Sequence, residues 1–315
     1  MRHLGLAVVA ALIALGLGLA LGAGPLVARS SAHRISREDR LASTTARLQQ
    51  RVAALEDRAR TDSRVVAALA APLTDKRLAG HSVVILRTPG ASDSLARSTR
   101  AALLGAGAAL TGEIRITTTY DDPAKATAPL EDLALRLVPP GLTFTDGASS
   151  IERVGVVLAR SLVAAKPTGS PDQAAAQVVA GFTELGAVRL DGTPGRLAEL
   201  AVVVSGDREQ ATAEPALSAL VAALDRQGAG VVVTGPGPLP PVVGWLRSGT
   251  SASGAGGAAG AAHPSSVDSA DTPAGRVATV LALVQQLAHG AGTYGTGPGA
   301  TSVLPTSVLT SSPAG

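Results

Sequence analysis

Leu200–Ser205 reads LAVVVS and Gly230–Thr234 reads GVVVT, and between them Ala213–Asp225 is an Ala/Leu-rich stretch with helical spacing. Two runs of β-branched residues with no polar alternation predict strands buried on both faces, the pattern of a parallel sheet covered by helices on each side. Moving outward, Ser82–Thr88 (SVVILRT) reads as a third strand of the same kind and Ser92–Leu104 as the helix that follows it. Ile114–Tyr120, ending in ITTTY, reads as a further strand; Leu130–Leu137, Ile151–Ala164 and Asp172–Leu185, the last beginning after Pro171, read as helices. A last helix over Pro273–His289 carries Val277, Val280, Leu281, Val284 and Leu287 on one face. The alternation predicts an α/β fold, a Rossmann-like parallel-sheet domain over residues 72–290. Residues 248–262, SGTSASGAGGAAGAA, carry too little apolar bulk to pack and read as a flexible Gly/Ala insertion. Residues 291–315, rich in Gly, Thr, Pro and Ser, read as an irregular tail.

What precedes the domain is of a different character. From Leu4 to Ala28 no residue is charged, and the run exceeds the ~20 apolar residues that a helix needs to cross a bilayer core. Residues 1–28 therefore read as an N-terminal transmembrane anchor; a cleaved signal peptide is the competing reading, but its apolar core is normally shorter and no A-x-A site stands before Pro25. Arg29, Arg34, Arg37 and Arg40 follow the span and only Arg2 precedes it, a count that by itself would hold the domain in the cytoplasm. Over residues 29–71, Leu41, Leu48 and Leu55 recur every seven residues with Val52 at the other seam position, which predicts a coiled-coil stalk ending at Pro72. Thr45 and Asp62 interrupt the seam, and Arg47, Arg51, Arg58, Arg60 and Arg64 decorate the outer faces. A self-associating coil and a helix packed on its own domain are both compatible with this pattern.

Composition narrows the chemistry. The net charge of +3 and an aromatic content of 2 % supply neither a strong basic field nor stacking platforms, so no nucleic-acid partner is expected. With no Cys in the chain there are no disulfides, thiolate ligands or Cys nucleophiles, and Met1 is the one methionine. The five histidines, His3, His33, His81, His263 and His289, have no metal-pair spacing. No G-x-S-x-G, H-E-x-x-H or P-loop sequence occurs, and the Gly-rich Thr293–Ala300 (TYGTGPGA) follows a helix instead of a strand. No catalytic residue, metal ligand or cofactor is assigned, and no enzymatic activity is expected.

The candidate site comes from architecture, since open parallel sheets bind ligands beyond the C-terminal ends of their strands. Those ends carry Arg87 and Thr88, Asp121 and Asp122, and Ser205 and Asp207; Asp268, Asp271 and Arg276 lie just ahead of the last helix. Two arginines beside several carboxylates suit either a polar ligand or docking partner, or a salt-bridge cluster along the rim.

HSVVILRTPGASD (His81–Asp93), SSVDSADTPAGRVATVLAL (Ser265–Leu283) and YGTGPGA (Tyr294–Ala300), with the anchor-and-stalk layout, resemble the actinobacterial MctB-type proteins, generally described as copper transporters. The resemblance spans nearly the whole chain and departs at the Gly/Ala insertion and the longer tail. It implies a cell-envelope protein tied to copper homeostasis, with the C-terminal domain outside the cytoplasm, in a family also described as outer-membrane channels. Copper enters as a partner only through this resemblance. Related corynebacterial proteins imply a different role, that of anchored scaffolds which regulate peptidoglycan hydrolysis with a neighbouring membrane protein. The residues favour action through protein contacts, because a channel through lipid needs a closed barrel or several helices and this sequence offers one span.

Overall fold

The structure is a computed structural model that describes residues 43–121, 123–193, 195–206, 214–237 and 263–308. The anchor Leu4–Ala28, seam residue Leu41 and the insertion 248–262 lie outside the described residues. Among the described residues no helix is long and apolar enough to cross a membrane.

The chain divides into two compact units, Met1–Asp62 and Ser63–Gly315. The described part of the first, residues 43–62, is helical and belongs to helix α1, which runs over 43–74; on it Arg60 pairs with Glu56 at 3.1 Å and with Asp57 at 2.9 Å. Pro72 does not end this helix, as its ring suggested; a proline removes one ladder bond and crowds the preceding turn, and α1 stops two residues later, with Asp75 N donating to Ala71 O at 2.8 Å.

The second unit is a seven-stranded sheet. Strand β1 is Ser82–Arg87, followed by α2 (Asp93–Gly105), β2 (Ala109–Ile116), the short α3 (Thr118–Asp121), α4 (Pro123–Arg136), α5 (Ser150–Arg160) and α6 (Gln173–Glu184). After them come β3 (Val188–Gly192), β4 (Leu200–Val204), α7 (Glu214–Gln227), β5 (Gly230–Thr234), β6 (Ser265–Val267), α8 (Pro273–Leu287) and β7 (Thr293–Tyr294). The order across the sheet is β3-β2-β1-β4-β5-β6-β7. The chain thus winds outward from β1 to one edge, returns to the middle, and winds outward from β4 to the other. All neighbours are parallel except β3, which runs antiparallel to β2. The strands read from the sequence are parallel as expected, and β3, which the sequence reading lacks, adds an antiparallel edge where Gly192 lies against Gly112 so closely that a Cβ on it would come within 2.7 Å of Gly112 Cα.

Every residue of β4 and of β5 is buried, which is why their sequences show no polar alternation. One face of the sheet, with Val84, Leu86, Ala201, Val203, Val231 and Val233, packs on α4 to α7 through Leu130, Leu158, Phe182 and Leu220. The opposite face, with Val83, Ile85, Val202, Val204 and Val232, packs on α2 and α8 through Leu103, Ala278 and Leu283. Helix starts follow their capping residues: Ser92, Asp172 and Thr272 each accept from a backbone N–H of the first turn, and Ser149 with Glu152 forms a reciprocal capping box.

Two further boundaries differ from the sequence reading. The strand expected at Ile114–Tyr120 lies at Ala109–Ile116, and Thr118–Tyr120 instead begins α3, with Thr117 Oγ1 accepting from Thr119 N at 3.2 Å ahead of it. The stretch after Gly290 is not wholly irregular: Thr293–Tyr294 pairs with Ser266–Val267 and extends the sheet by a strand.

Candidate functional site

Of the residues read as a rim, Arg87, Thr88, Ser205 and Asp268 lie at the C-terminal edge of the sheet, where hydrogen bonds continue the ladder one residue past the strands. Thr88 N donates to Val204 O at 3.0 Å, Ser205 N to Thr234 O at 2.8 Å, Gly235 N to Val267 O at 3.1 Å and Asp268 N to Tyr294 O at 2.9 Å. Arg87, Thr88, Ser205 and Asp268 therefore sit along one edge. They do not converge: Arg87 and Asp268 end β1 and β6, three strand spacings or about 14 Å apart across the sheet.

Arg87 is 8 % exposed and finds its carboxylates close by, Asp93 at 2.5 Å and Glu113 at 3.1 Å, with Ala91 O accepting a further bond at 3.2 Å. Burial works against its charge, but these two acids raise its pKa above the usual arginine value. Arg87 in turn holds the Asp93 carboxyl below the ordinary carboxylate range by hydrogen bonding and by charge. The guanidinium so ties the loop 88–92 and the first turn of α2 to β2. Neither Asp93 nor Glu113 was singled out from the sequence. A strand that begins at Ile114 excludes Glu113; with the strand at Ala109–Ile116, Glu113 stands opposite Ile85 and on the same face as Arg87.

At the centre, between β1 and β4, the strand order reverses, the position where such sheets take ligands. Here a Cβ on Gly206 would collide with the backbone of Gly90, so the two crossover loops close on each other. Thr88 and Ser205, 2 % and 1 % exposed, lie beneath them; Ser205 Oγ donates to Gly206 O at 3.4 Å. A small, mostly apolar cleft lined by Tyr120, Thr127, Leu130, Ile151, Val154 and Ala216 opens on the α4 to α7 face.

At the far end, the fully buried Asp268 is wrapped by the Gly-rich turn. Thr296 N donates to Oδ1 and Gly297 N to Oδ2, both at 2.8 Å, and Ser269 Oγ donates to Oδ1 at 2.8 Å. Gly295, at φ 132°, passes the carboxylate so closely that a Cβ would collide with it. TYGTGPGA thus binds the chain's own carboxylate with its backbone amides. Asp271 and Arg276 lie outside this cage; Arg276 Nη1 donates to Asp271 O at 2.8 Å. Asp121 closes α3, and Asp122 and Asp207 lie outside the described residues.

Of the histidines, His81 pairs with Glu199 at 2.7 Å. Among the described residues no group of three or more His, Cys, Asp or Glu is placed to hold a metal ion.

The fold and rim define an α/β-sheet protein in which, among the described residues, Arg87 is engaged by Asp93 and Glu113, and Asp268 by the amides of its own Gly-rich turn. A family model described as copper transport outer membrane protein, MctB, matches residues 1–305, and the chain belongs to that family. At the level of the family it is a copper-transport-related envelope protein. No curated protein matches the sequence.

Proposed function

We propose that this chain serves copper homeostasis as a membrane-anchored envelope protein that works through protein contacts, without catalysis and without itself being the conduit for copper. The observation that carries this reading is the covered sheet. Strands β4 and β5 are five residues long and buried at every position by helices on both faces. A strand that spans lipid needs about 9–11 residues and presents one face to the acyl chains. Composition supports the same reading, since Cu(I) prefers thiolate and thioether ligands and the chain has no Cys and a single Met at position 1.

The test is reconstitution of the full-length chain in proteoliposomes, with copper flux and Cu(I) competition titrations measured side by side. The expected result is no flux above empty vesicles and no Cu(I) binding tighter than that of a Cys-free control protein. Stoichiometric high-affinity Cu(I) binding, or single-channel conductance from this polypeptide alone, would overturn the reading.

A further inference from the structure

On α1, Leu48, Val52 and Leu55 are 55 %, 54 % and 66 % exposed. Their spacing of four and three residues lines them along one side of the helix, as an apolar stripe that water drives toward a partner. The flanking charges identify that partner. With Leu48 and Leu55 at heptad position d and Val52 at a, Arg51 takes position g and Glu56 position e. In two parallel helices in register, a g residue meets the e residue five places further along the other chain, and such pairs set orientation. Arg51 then faces Glu56 of the partner subunit, and the two-fold axis makes the pair twice. An antiparallel arrangement would set g against g and bring Arg51 and Arg58 toward their own copies. Val at a with Leu at d further favours two strands. The next d position is Asp62, where two carboxylates would oppose each other, so the zipper ends there.

We propose that α1 pairs with α1 of a second copy of this chain as a parallel, in-register two-stranded coil centred on Leu48, Val52 and Leu55 and oriented by Arg51 and Glu56. The inference goes beyond the functional reading above and holds whether or not copper is handled directly.

Because the chain has no Cys, single cysteines report on it cleanly in full-length protein in membranes. Leu48→Cys and Leu55→Cys should each form a disulfide-linked dimer under mild oxidation, at least tenfold faster than Gln50→Cys on the outer face. Arg51→Glu or Glu56→Arg should weaken self-association about tenfold; the double variant, or a mixture of the two single variants, should restore it. A monomeric full-length chain, equal cross-linking at position 50, or cross-linking only between unlike positions would overturn the proposal. So would charge reversal without rescue.

Discussion

Asp268 shows what a single residue contributes to this fold. A carboxylate with no exposed surface is costly unless its oxygens are matched by donors, and here Thr296 N, Gly297 N and Ser269 Oγ supply them. The cage ties the loop after β7 to the end of β6, two strands whose own pairing is only two residues long. Asp268→Asn keeps the shape, and its carbonyl oxygen can still serve Thr296 N and Ser269 Oγ, but its NH2 is then turned toward Gly297 N, a donor that needs an acceptor. We expect it to lower stability by about 1–3 kcal/mol, the cost of a buried donor left without an acceptor. Thermal or urea unfolding would check this, and a variant within 0.5 kcal/mol of the parent, the range of ordinary surface substitutions, would contradict it.

At the scale of elements, the loop from β1 into α2 is held by Arg87 through Asp93 and Glu113. The Asp93 pKa in the folded chain lies below its ordinary value of 3.8, so as pH falls the unfolded chain takes up this proton first. The contribution is complete above pH 3.8 and is lost as pH falls through the lower folded value. Asp93→Asn should therefore flatten the loss of stability on acidification below that pH and lower stability slightly at neutral pH, as an exposed pair does. Unfolding midpoints followed from pH 7 to 2.5 would test it; an unchanged acid limb would refute the assignment. Two stretches at this scale take a state that their own residues do not specify. Thr117–Tyr120 has strand propensity but is capped into a helical turn, and β7 is two residues, Thr and Tyr, held as a strand by β6 on one side and by a bridge from Tyr294 to Ser302 on the other.

For the whole molecule, the uncharged run Leu4–Ala28 predicts that full-length protein sediments with membranes and remains there after carbonate extraction. N-terminal sequencing of the extracted chain should find the run intact. A soluble mature chain beginning near Pro25 would refute the anchor. Anchoring at the N-terminus would also hold two copies with their α1 helices in the same direction, the arrangement that Arg51 and Glu56 favour.

By itself the sequence determined the class of fold, because apolar runs such as LAVVVS and GVVVT satisfy their backbones and exclude water only inside a helix-covered sheet. It determined most helix starts as well, since capping is local chemistry written in Ser92, Ser149, Asp172 and Thr272. It named Arg87, Thr88, Ser205 and Asp268 as neighbours of one edge. Only the tertiary structure decided what those residues do there. Strand order put Glu113 beside Arg87 and set Asp268 three strands away, and the closeness of Gly90 to Gly206 joined the two loops at the point of reversal. Such pairings arise between segments tens to more than a hundred residues apart, where register and packing fix the distance and no local pattern encodes it.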